Sequence, residues 1–208
     1  MAQIGSSQFR IGKSHARILT VIALLISLIL VATKWLTHDQ IIANTKARQQ
    51  LLLTQLIPGG FDNNPFSSSI TFTDPARGTL EAYPVTGPDG IQAVIIDTYA
   101  SDGYNGRIDM LIAIKRDLSI AGVRVTRHLE TPGLGDDIDH RKSNWITTFT
   151  GKSLERPSPP RWSVRKDGGE FDQFTGATVT PRAVVKAVHD TLVTATEHFD
   201  ILFNGTRP

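Results

Sequence analysis

Three runs, IQAVIIDTYA (91–100), RIDMLIAIK (107–115) and SIAGVRVTRH (119–128), are rich in β-branched residues and separated only by turn signals, Gly103, Gly106 and the pair Arg116–Asp117. Connections this short cannot carry a crossover, so the runs predict neighbouring antiparallel strands in a meander. Downstream, Asp139 to Phe149 reads as an amphipathic helix with Trp145, Ile146 and Phe149 on its apolar side. Residues 153–170 form a proline-rich connection with one strand around Trp162. Thr180-Pro181 then opens a helix, Thr as N-cap and Pro at its first position, with Val184, Val185, Val188, Leu192 and Val193 on one face. Upstream, Pro58-Gly59-Gly60 ends another helix-like stretch, and the segment to about Gly90 reads as turns and short edge strands. The fold class is α+β, an antiparallel sheet with packed helices.

The chain has 208 residues, which allows one membrane segment and one ordinary domain. It has no cysteine, so disulfides, thiolate metal sites, iron–sulfur ligation and a cysteine nucleophile are excluded. The formal net charge of +2 is lopsided. Residues 1–17 carry Arg10, Lys13 and Arg17 without an acid, and the remainder is nearly neutral, so the excess charge flanks a membrane segment instead of marking a nucleic-acid face. From Ile18 to Thr33 no residue is charged; snorkelling of Arg17 and Lys34 and the interfacial Trp35 extend this short run towards the roughly 20 residues of a span. A cleaved signal peptide is the competing reading, but Leu30-Val31-Ala32 lacks a clean small-x-small site. The chain also runs on into DQIIANTKARQQLLLTQLI (39–57), with Ile41, Ile42, Thr45, Leu52, Leu53 and Leu56 on one helical face. The resulting division is a cytoplasmic N-terminus (1–17), a single transmembrane helix (18–36), a helix with a variable segment (37–90), a domain core (91–195) and a C-terminal tail (196–208).

There is no GxxxxGK[ST], GxSxG or HExxH, and no catalytic residue is assigned. Two segments stand out. His128-Leu-Glu-Thr-Pro-Gly-Leu-Gly135 places glycines where backbone amides can approach a planar or anionic ligand; a plain hairpin exit has the same pattern. Asp172-Gln-Phe-Thr-Gly-Ala-Thr178 brings two hydroxyls to a helix N-terminus, where free N–H groups favour a phosphate; a capping turn is the alternative. His128, Glu130, Asp136, Asp137, Asp139 and His140 lack a fixed ligand period, so no metal site is expected. Trp162, Phe171 and Phe174 read as core, and His189 and His198 as solvated or capping.

The pattern D-x-x-[ST]-G-A-T at 172–178, with GYNG at 103–106, HLETPGLG at 128–135, the Trp145 segment and GGEFD at 168–172, resembles the FMN-binding domains of bacterial ion-pumping redox complexes. The similarity runs over about residues 10–195 and points to the G subunit of the Rnf electron transport family, with the C subunit of the sodium-translocating NADH:quinone reductase more distant. What the resemblance implies is an electron-carrier subunit of a translocase, single-pass in the bacterial inner membrane, with its domain on the periplasmic side and no nucleic-acid partner. It would pass electrons between ferredoxin and NAD in a complex that moves ions. FMN would be joined through its phosphate to Thr178, a phosphoryl threonine installed by a separate flavin transferase. Thr175, Gly176 and Ala177 would surround the phosphate, Asp172 would serve transferase recognition, and Glu130, Thr131, Gly133 and Leu134 would wall the isoalloxazine. The partners implied are the other proteins of the complex and membrane lipid. Other readings are an FMN-binding component of another extracytoplasmic reductase, a protein like the C subunit of the quinone reductase, or a non-redox scaffold without flavin.

Overall fold

The computed structural model describes residues 15–16, 18–31, 33–34, 51–52, 56–57, 64–74, 77–88 and 90–205. The chain divides into two compact units, Met1–Leu51 and Leu52–Pro208. In the first, residues 18–31 are helical and exposed. Among the described residues no helix is long and apolar enough to cross a membrane. The face expected for residues 39–57 lies largely outside the described residues; of those described, Leu56 is helical and buried.

The second unit is built on a five-stranded antiparallel sheet in sequence order, β1 (Ile70–Asp74), β2 (Gly78–Gly87), β3 (Gly90–Gly103), β4 (Gly106–Lys115) and β5 (Ile120–Arg127). The meander read from residues 91–128 is present as β3, β4 and β5. β2 is longer than the short edge strands expected before Gly90, and Pro84 within it has a physical reason. β1 pairs β2 only as far as Ile70↔Ala82, so Pro84 lies past the end of β1, where its missing N–H interrupts no β1–β2 ladder.

The central strands are apolar on both faces because both faces are covered. Val94 and Ile96 of β3, with Met110, Ile112 and Ile114 of β4, face the core formed with helix α1 (Val179–Glu197). On the other face Ala93, Ile95, Leu111 and Ala113 pack around Leu56. A Cβ at Gly122 would come within 3.1 Å of the Leu56 carbonyl, so β5 is bare where that segment lies against it. Of α1, Val184, Val185, Val188 and Leu192 are buried, whereas Val193 of the expected face is half-buried.

Two local expectations are corrected. Residues 139–149 do not form an α-helix: turns lead into a single 3-10 segment, Trp145–Phe149. The hydroxyls of Thr147 and Thr148 donate back to the carbonyls of Asn144 and Trp145, competing with longer helical bonds. The apolar side is nevertheless right, since Trp145, Ile146 and Phe149 are all buried. Phe149 stacks on Phe171 at 4.6 Å between ring centroids, with Trp162 beside them, so Trp162 and Phe171 are core. The second correction is the start of α1, whose N-cap is Thr178 and not Thr180. Residues 196–208 include a single π-helical turn, Asp200–Asn204, that buries Leu202 and Phe203.

Candidate functional site

Each of the two segments singled out in the sequence is a glycine turn. In Thr131-Pro-Gly-Leu134 the Leu134 N–H returns to the Thr131 carbonyl at 3.1 Å, and Gly133 has φ +76°, the sign a type II turn requires after Pro132. The Gly133 N–H donates to the Asp136 carboxylate at 2.6 Å. In Phe174-Thr-Gly-Ala177 the Ala177 N–H returns to the Phe174 carbonyl at 3.1 Å, with Gly176 at φ +80°. This second turn delivers Thr178 to the N-cap of α1.

The two turns face one another across a cleft of about 220 Å³, lined by Glu130, Thr131, Leu134, Gly176, Ala177 and Thr178 of the expected residues. Tyr104, Gly135, Val179 and Thr180 complete it. Gly133, Thr175 and Asp172 do not line it. Thr175 is exposed in the turn, and Asp172 points to solvent in a 2.9 Å ion pair with Arg165 while its carbonyl accepts the Trp145 indole N–H. At the N-terminus of α1 the Thr178 side chain makes no capping hydrogen bond, because its backbone is in the αR region (φ −75°, ψ −26°) and not the extended one from which a cap side chain folds back.

Behind the cleft sits Glu130, 4% exposed. One carboxylate oxygen accepts from the Asn105 N–H at 3.1 Å, the other from the Thr180 hydroxyl at 2.5 Å. The Asn105 side-chain amide donates to the Thr131 hydroxyl at 3.1 Å. The GYNG turn is thereby tied to the same place, a role that spacing could not reveal because the partners are 25 and 50 residues distant. Among the large hydrophobic residues described in the second unit, those left exposed are Tyr104, Leu129, Leu134 and Val179. Three of these line the cleft, and Leu129 precedes Glu130.

Nearby, Asp139 is held below the usual carboxylate range by its hydrogen bonds to Arg141. Among the described residues no group of three or more His, Cys, Asp or Glu could hold a metal ion. His189 lies against the Trp162 ring, and His198 caps α1 at its C-terminus. A larger groove of about 770 Å³ runs along β1 and the terminal turn, but among its described lining residues only His198 is titratable, and it is remote in sequence from both motifs.

The chain matches the model of the FMN-binding domain over residues 103–193, which takes in the GYNG turn, both motifs and most of α1. It is 46% identical over 176 residues to the G subunit of the ion-translocating oxidoreductase complex of Vibrio vulnificus (strain YJ016), covering 83% of each chain. The chain belongs to the family of ion-translocating oxidoreductase complex G subunits. The G subunit of Pseudomonas aeruginosa (strain UCBPP-PA14) is 47% identical over 154 residues, 72% of each chain. That of Vibrio cholerae serotype O1 (strain M66-2) is 38% identical over 200 residues, 94% of this chain and 96% of its own. Membership in the G-subunit family thus supplies the frame for the cleft: an FMN-binding domain on a five-stranded antiparallel sheet.

The cleft's features suit a flavin mononucleotide on three counts. A hydroxyl stands uncommitted to capping at a helix N-terminus, where amides and the helix dipole favour phosphate. Gly135 lets the loop close down on the cleft floor, where a Cβ would collide at 2.8 Å with both the Glu130 carboxylate and the Thr180 hydroxyl. Finally, an exposed apolar rim offers a planar ring the contact that solvent does not.

Proposed function

We propose that this protein is a membrane-anchored electron carrier holding FMN through a phosphoester to Thr178, in a complex that couples electron transfer between ferredoxin and NAD to ion translocation. The observation that carries the reading is the uncapped Thr178 hydroxyl at the mouth of a cleft where both motifs meet. When bound, FMN supplies the redox chemistry by accepting electrons and passing them on. The chain's part is to bind and orient. Thr178 would carry the phosphoester, and the amides of Val179 and Thr180 and the turn at Thr175, Gly176 and Ala177 would meet the phosphate charge. Thr131, Leu134, Tyr104 and Val179 give the ring an apolar wall, with Glu130 behind it. Gly133 shapes the opposing turn, and Asp172, exposed and clear of the cleft, is available to the flavin transferase.

The cleft is smaller than the roughly 300–1,000 Å³ that encloses a drug-sized ligand, so a ring there keeps an edge open. An open edge suits a carrier that must hand electrons to another protein of the complex. Covalent attachment removes loss by dissociation, which matters outside the cytoplasm, where free cofactor is scarce. Residues 18–36 are the anchor: every described residue of 18–31 is exposed and the run is uncharged, a helix without a polar face. The basic residues of 1–17 favour a cytoplasmic position for that end and a periplasmic one for the remainder, including the 91–195 core, with lipid and the other proteins of the complex as partners. Protease added outside spheroplasts should then trim the domain; digestion only after lysis reverses the topology.

The deciding experiment is Thr178→Ala expressed with the transferase. It should abolish flavin fluorescence on a denaturing gel, because noncovalent FMN is stripped there, while Thr175→Ala retains some. Flavin retained by the Thr178→Ala protein under denaturing conditions would place the attachment elsewhere.

A further inference from the structure

The buried carboxylate behind the cleft has more to do than the flavin reading asks of it. Both its oxygens are engaged by protein donors from different segments: the Asn105 amide in the turn between β3 and β4, and the Thr180 hydroxyl in the first turn of α1. Glu130 itself belongs to a third segment, the loop after β5, where its own N–H donates to His128 Nδ1 at 3.2 Å. The surroundings are pared to admit it. A Cβ on Gly103 would lie 2.9 Å from one Glu130 oxygen, and 2.3 Å from the Gly106 carbonyl. A Cβ on Gly135 would lie 2.8 Å from the other oxygen. Neither glycine has positive φ, so space and not backbone conformation selects them: at Gly135 the space is set by the Glu130 carboxylate and the Thr180 hydroxyl, and at Gly103 first by the Gly106 carbonyl, with the Glu130 carboxylate also close at 2.9 Å.

We propose that Glu130 is a positioning residue: its carboxylate clamps the GYNG turn, the 128–135 loop and the N-terminus of α1 together, fixing the gap between ring wall and Thr178 and the charge at the cleft floor. The clamp rests on the flavin reading only for its effect on the cofactor. With both oxygens committed to Asn105 and Thr180, Glu130 holds its place in the cleft without turning to the ligand. Thr180, two residues after the attachment point, transmits the register of α1 to the opposite wall. A fixed negative charge beside a ring that gains electrons opposes its reduction.

The test has two arms. In the full chain without flavin, hydrogen exchange at the Asn105 amide reads the clamp alone: Thr180→Val, which keeps the side-chain shape and removes the donor, should speed exchange there, and Thr180→Ser should restore protection. Unchanged Asn105 exchange in Thr180→Val would overturn the clamp, whatever becomes of the flavin assignment. In the FMN-loaded full chain, Glu130→Gln should raise the flavin midpoint potential and Thr180→Ser should leave it at the wild-type value. A potential unmoved by Glu130→Gln would overturn the charge effect. Failure of the attachment reading shows separately, as flavin retained by Thr178→Ala, and leaves the exchange arm intact.

Discussion

Helix α1 is fastened to the sheet by a buried polar network at each end, and the two are built to opposite specifications. Towards the C-terminal end, Arg77 donates to Thr98 and Thr191 hydroxyls at 2.9 and 2.7 Å, to the Ala187 carbonyl at 3.2 Å, and to Asp74 at 2.7 Å. Asp74 also accepts the Thr194 hydroxyl at 2.6 Å and the Arg77 backbone N–H at 2.7 Å. Several donors and acceptors close on one another, and the pair is nearly all buried. At the N-terminal end the Glu130–Thr180 bond is as deep, yet beside it stand an uncapped Thr178 and an exposed apolar rim. Buried hydrogen bonds of the same kind fix the helix in the first case and border an open cleft in the second. A network that is fully satisfied stabilises; one that stops short of its neighbours leaves groups for a ligand.

The strongest test of this contrast is to open the closed network. Asp74→Ala leaves the Arg77 guanidinium buried without its carboxylate and should cost about 3–5 kcal/mol in denaturant unfolding. A loss below about 1 kcal/mol would mean the network contributes little to holding the helix. Acid offers a graded version. Burial alone would raise the Asp74 pKa, but the hydrogen bonds and charge of Arg77 and the Thr194 hydroxyl more than offset it and hold the carboxyl far below the usual range. A depressed folded pKa contributes stability that is present above the unfolded value near 4 and lost as pH falls beneath it. Melting temperature should therefore drop more steeply below about pH 4 in the native chain than in Asp74→Asn. Thr191→Val removes one partner of an arginine that keeps several others, so about 1 kcal/mol is expected from thermal unfolding. The smallest effect belongs to the open end. Leu134→Ser, at an exposed rim position, should change stability by no more than about 0.5 kcal/mol while increasing quenching of bound flavin by a soluble quencher. Destabilisation comparable to Thr191→Val would show that the rim is packing instead of a binding surface.

What is legible in the sequence follows the range of the interactions involved. β3, β4 and β5 are readable because β-branched runs and short turns are local signals, and Trp145, Ile146 and Phe149 because apolar spacing marks burial even where the helix type differs. β2 is obscured by Pro84, whose tolerance depends on where β1 ends, a fact of pairing and not of composition. Thr180 reads as a cap because Pro181 follows it, but α1 already begins at Val179 and the Thr180 hydroxyl donates to Glu130, 50 residues away. The site shows the same division. The residue types of the two turns point to a phosphate and a planar ligand, but only the fold shows that they share a cleft, that Gly133, Thr175 and Asp172 stand outside its lining, and that Tyr104 belongs to it.

The order of the sheet bears on how the chain comes together in time. Every strand pairs with its immediate predecessor, so each hairpin can close over a short loop at small entropic cost as the chain lengthens. The contacts that span most of the domain, Arg77 to Thr191 and Asp74 to Thr194, wait for the last helix. The glycine turn at 174–178 lies between these two sets of contacts in the chain, after the sheet and at the threshold of α1. Thr178 joins that turn to α1 as its N-cap, so the stretch that carries it links the locally paired sheet to the helix whose contacts reach furthest along the chain.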